Sequence, residues 1–150
     1  MSLDQELELI RQFPIFSKIP LAMQKLLCFS SERLTFDEGQ VIFNAGDTAD
    51  ACYIVIDGTA EISIPTPKGP LVVNTSGRNE LIGEIAIFGD VPRTATVAAR
   101  TRLETLKISK NLFLSVIREN PDAAIELIRI LATRLAHNSA QLSKIARSGS

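Results

Sequence analysis

The residues of this chain best suited to do chemistry fall in one stretch, Leu81 to Val97. Gly83 lets the backbone come close to a ligand and takes dihedrals that other residues resist. Glu84 through Phe88 is long enough for a single helical turn. The first N–H groups of such a turn lack intrahelical partners and sit at the positive end of its dipole, which favours a phosphate. Glu84 has the same sign as a phosphate, so its acceptor-only carboxylate is suited to a sugar hydroxyl instead. Gly89 is expected to stop the turn, and Pro92 to fix the approach to Arg93. The Arg93 guanidinium can grip two phosphate oxygens at once. The plain alternative is a surface ion pair between Glu84 and Arg93, which needs no ligand and contributes about 0–1 kcal/mol.

Other chemistries find little support. Cys28 and Cys52 have no metal-like spacing and lie in apolar runs, so both read as buried free thiols. His137 is the only histidine; on its helix it reads as an exposed residue, and without carboxylate or thiol partners it is a poor metal ligand. No acidic or histidine cluster has metal spacing, and no nucleophile–base pairing is suggested, so catalytic and metal residues are expected to be none. Ser2, Ser17, Ser30 and Ser31 fit capping or turn roles. A net charge of −1 gives no bulk attraction to nucleic acid or anionic lipid. Asp4, Glu6 and Glu8 stand where a signal peptide needs basic residues, and no apolar run approaches the ~20 residues that cross a bilayer. A cytoplasmic location is the expectation, with no membrane and no nucleic-acid partner for this chain alone.

At 150 residues, 45% of them hydrophobic, the chain is expected to form one domain with a sizeable core. Residues 4–30 read as a helical region. Leu3, Leu7, Ile10 and Phe13 recur near helical spacing, Phe13-Pro14-Ile15-Phe16 interrupts them, and a second short helix runs from Leu21 to Phe29. Apolar residues at 15, 16, 19, 21, 26, 27 and 29 predict that this region docks on another element. Residues 31–108 read as about eight short strands separated by turns, which argues for a sandwich or barrel. Asp57-Gly58 is a strong hairpin signal, and Pro65 to Pro70 suits an exposed hairpin tip. Residues 109–146 read as two helices. Ser109 is placed to cap the first, and Asn120-Pro121 to begin the second. The second helix carries Ile128, Leu131, Leu135, Leu142 and Ile145 at heptad steps, with Asn138 in the seam. Met1–Leu3 and Ser148–Ser150 are set aside from the fold reasoning.

The stretch Gly83-Glu84-Ile85-Ala86, followed by Pro92-Arg93-Thr94-Ala95-Thr96, resembles the phosphate-binding cassette of the cyclic nucleotide-binding domain family, whose pattern is Gly-Glu-apolar-Ala, a spacer, then Pro-Arg-small-Ala-Thr. The run Ile42-Phe43, Gly46-Asp47, Asp50, Tyr53-Ile54-Val55, Gly58 is similar to the first hairpins of that family. The resemblance implies a mainly β fold with flanking helices: an eight-stranded jelly-roll barrel (a double-stranded β-helix) with N-terminal and C-terminal helices. The cassette, about 82–96, would lie between strands six and seven. It implies that Glu84 takes the ribose 2′-hydroxyl and Arg93 the cyclic phosphate, with N–H groups near Ile85, Ala86 and Thr94 completing the cradle beside Gly83 and Ala95. Ile82, Val73 and the C-terminal helix would hold the base.

The implied function is a regulatory sensor domain, not an enzyme, that binds cAMP or cGMP as ligand without a cofactor and signals by helix rearrangement. Threonine after the arginine recurs in cGMP-reading domains and in some cAMP-preferring ones, so Thr94 leaves both ligands open. The C-terminal helix has two readings: a homodimer or lid helix formed by 121–146 through Ile128, Leu131, Leu135, Leu142 and Ile145, or packing of its first turns on the chain's own barrel. A barrel that binds no nucleotide and acts as a protein interaction module is the alternative function.

Overall fold

The structure, a computed structural model, describes residues 2–148 and the side chains as far as His137; Asn138, Leu142 and Ile145 of the heptad seam lie outside the described side chains. Three helices come first: α1 (Leu3–Arg11), α2 (Pro14–Ser17) and α3 (Leu21–Ser30). Strands β1 (Glu32–Phe36), β2 (Val41–Phe43), β3 (Ala51–Asp57), β4 (Ala60–Ile64), β5 (Leu71–Ser76) and β6 (Leu81–Ile82) follow. Then come α4 (Glu84–Gly89), β7 (Thr96–Ala99), β8 (Leu103–Ser109), α5 (Lys110–Glu119) and α6 (Pro121–Ser148).

The strands form two antiparallel four-stranded sheets, ordered β1-β8-β3-β6 and β2-β7-β4-β5, in the jelly-roll manner. Strand β3 shows why its sequence does not alternate. Along a strand successive side chains face opposite ways. Tyr53 and Val55 join Phe36, Ile82, Val97 and Leu103 between the sheets. Cys52 and Ile54 join Leu7, Phe16, Leu27 and Phe113 of the helices on the outer face. Both faces are covered, so the run Ala51–Ile56 is buried throughout, as a strand of continuous apolar residues should be. Cys28 and Cys52 are both free and buried.

The Asp57-Gly58 expectation is corrected. β3 and β4 belong to different sheets, so this pair turns a corner between them and closes no hairpin. Gly58 has φ +92, and a Cβ there would run into the Arg102 carbonyl. The residue pair reports tolerance of positive φ, which a sheet-to-sheet corner needs as much as a hairpin does. The true hairpin joins β4 to β5. Its tip is the expected proline-rich loop, closed by the Gly69 N–H donating to the Thr66 carbonyl at 2.9 Å.

The helix expectations are met in part. Ser2 has the capping role its type suggested and closes a reciprocal box with Gln5 at the start of α1. Pro14 starts the short helix α2, because its missing N–H costs nothing at a first helical position. Ile15, Phe16, Ile19 and Leu27 are buried as predicted, but Leu21, Leu26 and Phe29 are exposed. Ser109 accepts from Leu112 N at 3.3 Å and caps α5. As expected α6 begins at Pro121, with the Asn120 carbonyl accepting from Ala124 N at 3.0 Å, while the Asn120 side-chain amide reaches back, donates to the Val116 carbonyl at 2.8 Å and closes α5. On α6 the inner face is Ala123 and Leu127, with Ile130 and Leu131 half-buried against the core. Ile125, Ile128 and Leu135 stand exposed, so the chain's own sheets do not cover Ile128 and Leu135.

Candidate functional site

Strand β6 ends at Ile82, and Gly83 turns the chain with φ +87 directly into α4. The end of this turn differs from expectation. Gly89 is its last helical residue, and Asp90, at φ 50, makes the left-handed exit. Aspartate is one of the few non-glycine residues that tolerate this conformation. The returning chain is pinned at Arg93, whose N–H donates to Asp47 O and whose carbonyl accepts from Gly46 N, both at 2.8 Å. Thr96 Oγ1 accepts from Ala45 N at 2.9 Å. The turn before β3 therefore fixes where Arg93 leaves the backbone.

The Arg93 side chain is 4% exposed. Its Nη1 donates to Gly83 O at 2.8 Å, its Nη2 donates to Ala51 O, and its Cζ lies 4.0 Å from the centroid of the Phe43 ring. A guanidinium has five N–H donors, so two carbonyl bonds leave donors available for an anion. Burial pushes the Arg93 pKa down, while Tyr53, Asp50, Cys52 and Asp47 pull it back up. Gly83 has a second role here: a Cβ on it would lie 2.5 Å from Arg93 Nη1. Glycine at 83 thus serves both the positive φ and the close approach of the guanidinium.

Glu84 is 2% exposed, and no surface ion pair with Arg93 forms. Its carboxylate accepts from Arg134 of α6, which also donates to Leu81 O at 2.8 Å. Burial raises the Glu84 pKa, and Arg134 and Arg93 oppose the rise. Sequence reasoning missed Arg134. It lies 50 residues downstream of Glu84, on a helix whose readable signal was its apolar seam, and no spacing rule connects the two. Phe43 and the Ala51 carbonyl were missed for the same reason.

The structure brings Gly83, Glu84 and Arg93 together with Phe43, Ala51 and Arg134. Ala86 is on the buried face of α4, while Ile85 and Thr94 are exposed and Ala95 is half-buried. Ile82 is closed in the inner cluster beside Tyr53 and offers a ligand little surface. Val73 is exposed and falls where the register shifts between Ile62↔Asn74 and Ser63↔Val72, as the extra residue of a bulge. His137 is exposed. Among the described residues, no group of His, Cys, Asp and Glu could hold a metal ion, and no helix is long and apolar enough to cross a membrane.

A profile of the cyclic nucleotide-binding domain family matches residues 33–120. The chain belongs to this family. The chain is 32% identical to a lysophospholipase of Neosartorya fischeri over 108 residues, 71% of this chain and 7% of that protein. It is 25% identical to the CRP-like cAMP-activated global transcriptional regulator of Mycobacterium tuberculosis over 139 residues, 92% of this chain and 62% of that one. The chain thus corresponds to part of each relative. Among solved structures, the sensor domain of the Pseudomonas aeruginosa regulator DNR superposes with a TM-score of 0.80 at 24% identity, covering 92% of this chain and 93% of that one. The catabolite activator protein of Thermus thermophilus superposes with a TM-score of 0.74 at 26% identity, covering 89% of this chain and 63% of that one. The family match contains Gly83, Glu84 and Arg93 but ends at Asn120, so the Arg134 partner of Glu84 lies outside it.

Proposed function

We propose that this cyclic nucleotide-binding domain is a sensor for cAMP, or for cGMP, with the cyclic phosphate on Arg93 and the N–H groups near Ile85, Ala86 and Thr94, and the ribose 2′-hydroxyl on Glu84. The observation that carries the reading is the packing of the Arg93 guanidinium against Gly83, where the chain enters α4. A charged fork and the open N–H end of a turn then stand on one short segment, as phosphate recognition needs. The cAMP-activated relative supports cAMP as the first ligand to test. No catalytic step is proposed: the Cys52 thiol is pushed far up by burial, which removes its thiolate.

Arg134 supplies the route to a signal. It ties α6 to Glu84 and to Leu81 O. A ribose hydroxyl on Glu84 competes with that tie, so nucleotide favours an arrangement in which α6 is released. A ligand shifts an equilibrium only by its differential affinity for two states, and competition for one carboxylate is such a difference. The exposed Ile128 and Leu135 of α6 are the surface through which we propose a homodimer; with nucleotide unbound to it, the same surface would serve an interaction module.

A thermal shift with cAMP, cGMP, AMP and GMP tests the ligand. At 100-fold its dissociation constant a ligand adds about 2.7 kcal/mol, or roughly 5–10 °C for a domain of this size. A shift with a cyclic nucleotide and none with the linear ones supports the sensor. No shift at millimolar cyclic nucleotide rejects it. Hydrogen exchange tests the movement, and unchanged protection of α6 on binding rejects that part.

A further inference from the structure

A cavity of about 390 Å³ lies on the side of the β1-β8-β3-β6 sheet away from the sandwich interior, between α2 and α6. We propose that it is a second small-molecule site, for a neutral and largely apolar ligand, and that its occupancy is felt at Glu84 through Arg134.

The volume falls within the range of ~300–1,000 Å³ usual for small-molecule sites. The floor is carbon: Phe13 and Phe16 at one side, Ile54 and Leu81 of the sheet beneath, Ile130 of α6 above. The rim is polar, and its cations are already engaged. Arg129 pairs with Glu126 at 2.7 Å, and Arg134 with Glu84. The Thr133 hydroxyl donates to Arg129 O at 2.9 Å. Glu80 adds a further carboxylate to the lining. An anionic headgroup would have to break an existing pair and face two acids, whereas an uncharged body needs only the apolar floor. Asn79 offers one amide to a hydroxyl or carbonyl.

Two lining residues belong to the tie between α6 and the cassette. Leu81 accepts from Arg134, and Arg134 holds Glu84. A molecule packed against both stabilises the arrangement that contains the cavity, in which Glu84 is held by Arg134. Coupling between two sites is reciprocal, so a nucleotide that competes for Glu84 must weaken the cavity ligand by the factor by which it is weakened. This second half rests on the nucleotide reading above; the first half does not.

The test uses the full chain and the neutral fluorophore N-phenyl-1-naphthylamine, titrated without nucleotide and displaced by 1-decanol or decanoate. The expected result is saturable 1:1 binding, displacement by decanol at least tenfold more effective than by decanoate, and at least tenfold weaker binding in Ile130→Trp, whose indole fills the space. Thr133→Phe, which narrows the mouth, serves if the tryptophan variant does not fold by circular dichroism. Non-saturable binding, binding unchanged in the folded variants, or equal displacement by decanoate overturns the site. With cAMP present, saturating decanol is expected to weaken cAMP at least threefold, and cAMP to weaken decanol, read by its displacement of the probe, by the same factor. Unchanged affinities in a chain that binds both overturn the coupling, whereas a chain that binds the probe and no cyclic nucleotide indicts the nucleotide reading instead.

Discussion

Arg134 on α6 donates to the carboxylate of Glu84, which is almost fully buried at the start of α4. The pair joins the cassette to a helix that the family match does not reach. Removing one partner of a buried pair strands the other charge, at a cost of ~3–5 kcal/mol. Arg134 is 31% exposed, so solvent screening places Arg134→Met at the lower end, about 3 kcal/mol. Denaturant unfolding should show that loss, and the double variant Glu84→Gln/Arg134→Met should recover most of it. Additive losses would show that the two side chains do not interact.

The same burial sets a pH dependence. Glu84 titrates above its ordinary value of 4.5, chiefly through desolvation. The folded chain therefore holds this proton more tightly than the unfolded chain. The group's contribution to stability is fully present below the unfolded value and is lost as pH rises through the folded one. Glu84→Gln removes the titration. Its stability relative to the parent should rise as pH increases above 4.5 and level off once Glu84 is ionised. A difference independent of pH from 4 to 8 in unfolding experiments would contradict the raised value.

Gly83→Ala should be destabilising for two reasons. A φ of +87 costs an L-residue about 1–2 kcal/mol, and its Cβ would meet Arg93 Nη1 at 2.5 Å. The expected outcome is a fall in melting temperature together with weaker cyclic nucleotide binding. Unchanged binding in the folded variant would separate Arg93 from the site.

Arg93→Ala should weaken cyclic nucleotide binding tenfold to over a hundredfold, because a charge-assisted bond contributes about 1.5–3 kcal/mol. Phe43→Leu removes the ring that lies 4.0 Å from the guanidinium carbon. It should weaken binding severalfold in the parent and not at all in the Arg93→Ala background, while Phe43→Tyr keeps the parent's affinity. Titration calorimetry reads both. Equal effects of Phe43→Leu with and without Arg93 would reduce the ring to packing.

Thr94 is exposed beside Arg93. Thr94→Ala should change the ratio of cGMP to cAMP affinity, as its place after the arginine suggests. An equal change for both ligands, or none, in calorimetry would reduce it to a residue suited to strand entry.

The part of this fold that can be read along the chain is local. Gly83, Pro92, Ser109 and the proline-rich tip act through their own dihedrals and caps, and eight strands with flanking helices follow from the same short-range rules. The cassette was legible because its donors and its glycine lie within about one helical turn and one loop of each other. Which sheet each strand joins is set by long-range packing, so Asp57-Gly58 became a corner instead of a hairpin. The same packing turns Arg93 to the Gly83 and Ala51 carbonyls and to Phe43, and brings Glu84 to Arg134. These partners come from distant parts of the chain and are brought together by packing the two sheets on one another and α6 on the outer face of one of them. A carboxylate buried by that packing must find its cation wherever the fold supplies one, and no residue spacing along the chain encodes that place.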